Sequence, residues 1–431
     1  MFAGQCRRAA GQYRGNTLRS YRSRLLAGVV LLGVLAGCSS SSHQTGTTAS
    51  SKPSASEPTI TVGVLTDLTG PASNVSSFVP TGIKAGVGKA AEEGYNIKYV
   101  IADAGTNPAQ ALSAAQRLVQ QDHVFAVIGM TAVLFAASSY LHSQGIPVVG
   151  ANYDGSEWLT NDNMFSIYGY NDFTKVNTGI AKVVKLLGGT NLGLIGYGIS
   201  PSAADTTKAD AVAAQDAGLK AGYVNANVPF GSTNVEPLVL AMKAAGIDSF
   251  FPVTDTNTGL AAIVGLRQAG VNLKVAFLAE GEGDLLAAGP ATEQQAKGVY
   301  FPGAYEPVQM NTAATKAFQA ALKKYAGVTA PPSLNQYFSY LSIDGIVQGL
   351  KLAGPNPTQA KFIQAMLGIT KYDALGLLGN HPLSFAMADR GQAAGSPLCQ
   401  YLTRWNGTSF DLVPGADPIC GQYTGQSVAA S

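Results

Sequence analysis

The sequence predicts an α/β protein built from two doubly wound parallel sheets. Two observations carry this reading. Short runs rich in β-branched residues alternate with stretches of helical length from Thr59 onward, and the alternation restarts after Tyr168–Asp172 to give a second set of similar size. Strand-helix-strand repetition of this length pairs strands in parallel with right-handed crossovers. The roughly 370 residues beyond the N-terminal segments suit two domains of ordinary size.

In order, Ile60–Leu65 reads as a buried strand, Thr81–Gly94 as a helix rich in Ala and Gly, Asn96–Ala102 as a strand and Asn107–Gln121 as an amphipathic helix. Val124–Ile128, Phe135–Gln144 and Pro147–Val149 continue the alternation as strand, helix and strand. In the second set Lys175–Leu187, Ala203–Ala217, Glu236–Ala245 and Leu260–Ala269 read as helices. Leu192–Tyr197, Tyr223–Val228, Ser249–Val253 and Val275–Leu278 are the strands between and after them. After Val299–Phe301 come three helical stretches, Thr312–Tyr325, Asn335–Leu352 and Thr358–Leu367, and then short strands, among them a hairpin of Tyr401–Trp405 with Ser409–Val413.

The N-terminus belongs to a different class of sequence. Arg7, Arg8, Arg14, Arg19, Arg22 and Arg24 stand without any Asp or Glu ahead of the uncharged run Leu25–Gly37, the pattern of an export signal. A run of thirteen residues is too short for a membrane span, which needs about 20. Leu35-Ala36-Gly37-Cys38 resembles the lipobox of bacterial lipoproteins, which implies cleavage after residue 37 and lipidation of Cys38; the alternative is an uncleaved anchor with an incidental cysteine. Ser39–Pro58 has hardly a large apolar residue and reads as a flexible tether reaching roughly 25 Å.

Loss of the signal removes six positive charges and no negative ones, so the net charge of +2 becomes −4. No Lys/Arg cluster interleaved with aromatics remains, and nucleic acid is not an expected partner. Cys399 and Cys420 survive in an oxidising compartment, where a disulfide is the default. His43, His123, His142 and His381 lack metal-ligand spacing, so neither a metal nor any other cofactor is expected. Gly82–Ala90 only imitates a phosphate loop, since its first glycine is out of register and Ala90 cannot coordinate Mg²⁺. Without a G-x-S-x-G elbow there is no visible nucleophile, and an enzyme is not expected.

The run Ile60-Thr-Val-Gly-Val-Leu-Thr-Asp-Leu-Thr-Gly-Pro-Ala-Ser73, with Thr81-Gly82 opening the next helix, resembles the leucine/isoleucine/valine-binding protein family of ABC transporter solute receptors. Asp103-Ala-Gly-Thr-Asn-Pro108, Val127-Ile128-Gly129, Gly145-Ile146-Pro147, Gln268-Ala269-Gly270 and Trp405-Asn406-Gly407 extend the similarity in order. The resemblance implies a type I periplasmic-binding fold with three hinge crossings, near Tyr168–Asp172, Pro302–Tyr305 and Asn380–Ala388. It divides the chain into a first lobe of 59–170 plus 303–382 and a second of 171–302 plus 383–431. It further implies a monomeric, lipid-anchored receptor on the extracytoplasmic face of a bacterial membrane, passing a small solute to an ABC permease. The same fold also serves receptors that signal to a membrane sensor.

In open α/β sheets ligands sit beyond the carboxyl ends of strands. The loops there offer Thr131, Asn152, Tyr153, Tyr197, Asp255 and Glu280 as candidate binding residues. By the resemblance Glu280 matches an acidic residue that holds a ligand ammonium, against the alternative that Glu280, Glu282 and Asp284 form a solvated acidic turn. Asp255 falls where the family's second-lobe loop reaches ligand, and it also suits an N-cap of the helix that follows. Asn152 and Tyr153 are read as cleft residues, Tyr153 as a stacking surface. The family's Ser/Thr run after the third strand is here reduced to Thr131, and its first-loop aromatic is Val75, so the expected solute is broadened to an amino acid-like compound, an amide or a small organic acid.

Overall fold

The computed structural model describes residues 59–431 apart from Tyr153 and Glu280. The expected export signal, Cys38 and the expected tether lie outside the described residues, as do those two candidate site residues.

The first half runs through β1 (Ile60–Thr66), α1 (Ser73–Ser76), α2 (Val79–Glu92), β2 (Ile97–Asp103), α3 (Pro108–Gln120), β3 (Ala126–Met130), α4 (Phe135–Ser143), β4 (Val148–Gly150), α5 (Glu157–Thr160) and β5 (Met164–Ser166). Its strands form one parallel sheet in the order β2-β1-β3-β4-β5. The helices begin where local chemistry permits. Asn107, for instance, accepts hydrogen bonds from the Ala109 and Gln110 amides just as Pro108 fixes the first turn of α3. The sequence reading has no counterpart for β5, because three residues are too few for a periodicity to register.

The second set comprises β6 (Lys175–Asn177), α6 (Gly179–Leu186), β7 (Asn191–Tyr197), α7 (Pro201–Asp216), β8 (Lys220–Val228), α8 (Glu236–Ala244), β9 (Ser249–Val253), α9 (Thr256–Gln268), β10 (Val275–Ala276), α10 (Glu282–Ala287) and α11 (Pro290–Gln295). Here the parallel order is β10-β9-β7-β8. The rest of the chain supplies β11 (Tyr300–Gly303), α12 (Ala313–Ala321), α13 (Leu334–Ala353), α14 (Gln359–Leu367), β12 (Cys399–Trp405), β13 (Phe410–Leu412), β14 (Ile419–Cys420) and β15 (Tyr423–Ser427). β12 pairs antiparallel with β11, β13 and β14, and Cys399 and Cys420, facing each other across β12 and β14, form a disulfide. β15 pairs antiparallel with β6. That pairing corrects the expected helix Lys175–Leu187: its first three residues are drawn into a strand by a partner more than 240 residues away in sequence, which periodicity cannot reveal.

Apolar packing separates the molecule into two lobes. One core collects buried residues from Val62 to Tyr170 and again from Tyr305 to Phe385, while the others draw on Val176 to Phe301 and Leu402 to Ala416. The chain therefore passes between cores three times, after Tyr170, after Phe301 and after Phe385. Leu383 and Phe385, which the sequence reading assigns to the second lobe, pack in the first core because Leu383 pairs with Tyr372 through two backbone hydrogen bonds.

The first core is clamped by α13, whose N-terminus carries a reciprocal cap between Ser333 and Gln336. α13 lies so close to α2 that Gly82 and Gly86 are needed at the contact. A Cβ on Gly82 would meet Ser339 Oγ and stand 2.7 Å from the Gln336 carbonyl oxygen. No helix among the described residues is long and apolar enough to cross a membrane. We expect Gly82→Ala to destabilise the protein by about 1–3 kcal/mol through forced separation of α2 and α13, read as a lowered melting temperature. An unchanged melting temperature would mean that the two helices part freely.

Candidate functional site

The carboxyl ends of both parallel sheets border one cavity of about 310 Å³. The first lobe lines it with the loop after β1 (Asp67, Ala72, Val75, Ser76), with Ala132 and Asn152 after β3 and β4, and with the start of α13. From the second lobe come Tyr197 and the loop leading into α7, Phe230, Thr254, Asp255 and Ala279. Between them the first crossing contributes Asn171, Asp172, Phe173 and Lys175. At the rim the lobes touch: the Ser202 amide lies 3.4 Å from the Asp154 carbonyl oxygen, and Gly231 stands against Pro71.

Asn152, Tyr197 and Asp255 thus stand on the wall of this cavity, and Thr131 stands behind it. Thr131 is buried and donates through Oγ1 to Asp67 Oδ1 at 2.9 Å, where the Thr106 amide also donates at 2.6 Å. Its hydroxyl therefore orients a carboxylate. Burial pushes the Asp67 carboxyl up, and these hydrogen bonds work in the opposite direction. Asn152 is fully buried, accepts nothing at Oδ1, and donates through Nδ2 to the Asn171 carbonyl oxygen at 3.2 Å.

Asp255 caps a helix and borders the cavity. Its Oδ1 caps α9 by accepting from the Asn257 amide at 2.8 Å and the Thr258 amide at 3.2 Å, and its residue borders the cavity. The Tyr197 hydroxyl is hydrogen-bonded to the Asp255 carboxylate, and the Tyr197 ring stacks on Phe230 with centroids 4.2 Å apart. Glu282 and Asp284 are not a solvated turn. Both are buried at the start of α10, where Glu282 accepts from Thr403 at 2.7 Å and from Gln309 at 2.6 Å. They turn inward because α10 is seated against residues 332–334 at the head of α13, a contact invisible in the local sequence.

Sequence reasoning missed three features of the wall. Asp210 sits on α7, not on a loop, with 7% of its surface exposed and no hydrogen-bond partner at its buried Oδ2. Its signal was available: Ala203, Thr207 and Asp210 share one helical face whose first two members are small and buried, so a carboxylate interrupts an inward stripe. The second feature is Lys175, which donates to the Gly391 carbonyl oxygen at 2.6 Å and lies 4.0 Å from Asp172. The third is Tyr423, delivered by β15, with its hydroxyl bonded to Ser396 Oγ at 2.9 Å and its ring 5.5 Å from the Lys175 ammonium. Because the Cys399–Cys420 disulfide closes just ahead of β15, it helps fix this part of the wall. His381 Nδ1 lies 3.3 Å from Cys399 Sγ, but the disulfide occupies both sulfurs and leaves no thiolate for a metal.

Burial alone pushes the Asp210 carboxyl up to about 7. Among the described residues the charged groups sharing its cavity are Asp67, Asp172, Asp255 and Lys175. Between the ordinary carboxylate value and about pH 7 the folded protein holds a proton that the unfolded chain has released, so stability falls as pH rises through this window and levels off above it. Asp210→Asn should therefore raise stability on the order of 4 kcal/mol at pH 8 and change it little near pH 4, where both side chains are neutral in the folded protein. Thermal melts of both proteins across this range test it, and a pH-independent difference would contradict a carboxylate held against its charge.

Residues 59–409 match the family model described as "Periplasmic binding protein". No curated protein matches the chain. Among solved structures it is similar to an ABC transporter solute-binding protein from R. palustris in complex with 4-hydroxybenzoate, at 20% identity and TM-score 0.67, over 83% of this chain and 96% of that one. A possible leucine/isoleucine/valine-binding protein from Rhodopirellula baltica aligns at 16% identity and TM-score 0.70, over 83% and 97%. A branched-chain amino acid transporter substrate-binding protein from Streptococcus pneumoniae in complex with isoleucine aligns at 17% identity and TM-score 0.66, over 85% and 99%.

Proposed function

The chain belongs to the periplasmic binding protein family, a family of binding proteins rather than enzymes, and from that membership we propose that it captures a small polar solute between its lobes and delivers it to an ABC permease. The observation that carries this reading is the 310 Å³ cavity at the carboxyl ends of two parallel sheets, the place where doubly wound folds bind ligands. Its volume lies at the lower end for small-molecule sites, which argues for a compact solute. Three chain crossings between the cores supply the hinge about which two lobes close.

In this reading Asn152 and Tyr153 act from the first lobe and Tyr197, Asp255 and Glu280 from the second. Tyr153 follows the wall residue Asn152, and Glu280 follows the wall residue Ala279. Contact with both walls favours the closed arrangement by differential affinity. Small-angle scattering should show the radius falling when a solute identified by thermal-shift screening is added, and an unchanged radius would contradict lobe closure. Calorimetry of Tyr153→Ala and Glu280→Gln should show weakened binding, and wild-type affinity in both would remove them from the site.

Cys38 anchors the protein to the extracytoplasmic face of the membrane, with residues 39–58 as a tether that leaves the lobes room to meet a permease. Support comes from the basic head, the short apolar run and the cysteine that ends it. Cys38→Ala should abolish incorporation of a fatty-acid label in a bacterial host, and a labelled variant would defeat the assignment.

A further inference from the structure

The cavity asks for a particular charge in its occupant. Among the described residues four carboxylates, Asp67, Asp172, Asp210 and Asp255, border it together with one lysine, Lys175. Three of these groups are already engaged. Asp172 accepts from the Thr174 amide and hydroxyl, Asp255 serves α9 and Tyr197, and the Lys175 ammonium is bonded to the Gly391 carbonyl oxygen. What remains is Oδ2 of Asp67 and Oδ2 of Asp210, on opposite lobes, both in buried side chains and both without a partner. The other unpartnered buried side-chain atoms on described wall residues are Asn152 Oδ1 and Gln400 Oε1, which are also acceptors.

A buried carboxylate without a partner opposes folding unless something supplies the missing charge or hydrogen bonds. Nothing in the described protein does so for Asp210. An anionic occupant would add repulsion to that deficit, and the one ammonium among the described wall residues, Lys175, already has the Gly391 carbonyl oxygen at 2.6 Å and Asp172 at 4.0 Å. A cationic donor would instead meet acceptors on both sides, with Phe173 and Phe230 on the same wall beside its hydrocarbon part.

We propose that the solute is an organic cation bearing a protonated amine, held between Asp210 of the second lobe and Asp67 of the first. This rests on the reading of the cavity as the solute site, and it narrows that reading from small polar solutes in general to amines without a neighbouring carboxylate. Asp210 is then a specificity-determining residue placed on a helix rather than on a strand-end loop.

The test uses the mature protein and calorimetry at pH 7.5 with matched probes: butylamine, hexylamine, benzylamine, putrescine, cadaverine and agmatine, beside butyrate, hexanoate, benzoate and the amino acids leucine and isoleucine. The expected result is that at least one amine binds, about tenfold or more tighter than any carboxylate or amino acid in the panel. Asp210→Asn and Asp67→Asn should each weaken that amine by about tenfold or more while both variants melt cooperatively. Binding of a carboxylate or amino acid with every amine silent would overturn the cation assignment and leave the solute-binding reading intact. An amine bound equally by the wild type and both variants would likewise overturn it. Silence of the whole panel would overturn the assignment for compounds of this size, while scattering with a broader screen separately decides the solute-binding reading.

Discussion

A parallel sheet must be covered on both faces. Its crossover helices achieve this, and the carboxyl ends of the strands become the place where backbone stops pairing and loops diverge. The protein applies that constraint twice. With β2-β1-β3-β4-β5 in one lobe and β10-β9-β7-β8 in the other, the two open edges share one cavity, and the chain crosses between cores three times instead of once. The α2–α13 contact is tight enough to require glycine, which gives the first lobe a stiff frame from which its loops project.

The site shows what a binding wall gives up for its task. Asp255 and Asp67 are mostly satisfied by caps, a tyrosine and a threonine, so their positions are set by the protein itself. Asp210 receives no such help, and burial holds its proton up to about 7. Core positions of this kind favour an apolar residue on stability alone, and groups that break that rule concentrate where a protein acts. The disulfide-linked C-terminal segment extends the same wall. It carries Tyr423 through β15 onto β6, so a stretch beyond the family match takes part in shaping the cavity.

Much of this architecture was open to reading from residues 59–431 as a string. Buried strands such as Ile60–Thr66 are uncharged and rich in β-branched residues, and helices such as α3 and α13 carry their own starting signals in Asn107-Pro108 and Ser333. Periods and caps act over a few residues, so they survive without knowledge of the fold. The loops beyond the strands followed from the same alternation, and Asn152, Tyr197 and Asp255 were placed by it near the cavity they border.

Other assignments depended on residues far apart in sequence. Lys175–Asn177 became a strand because β15 lies beside it, Thr131 turned its hydroxyl to Asp67, and Glu282 and Asp284 went inward because α10 docks against the head of α13. The sequence by itself determined the two alternating βα sets, since these are local patterns of size and period. Only the tertiary structure decided which carboxylates face one another across the cavity and which of them lack a partner, because burial and pairing are properties of the space between elements and not of any element alone.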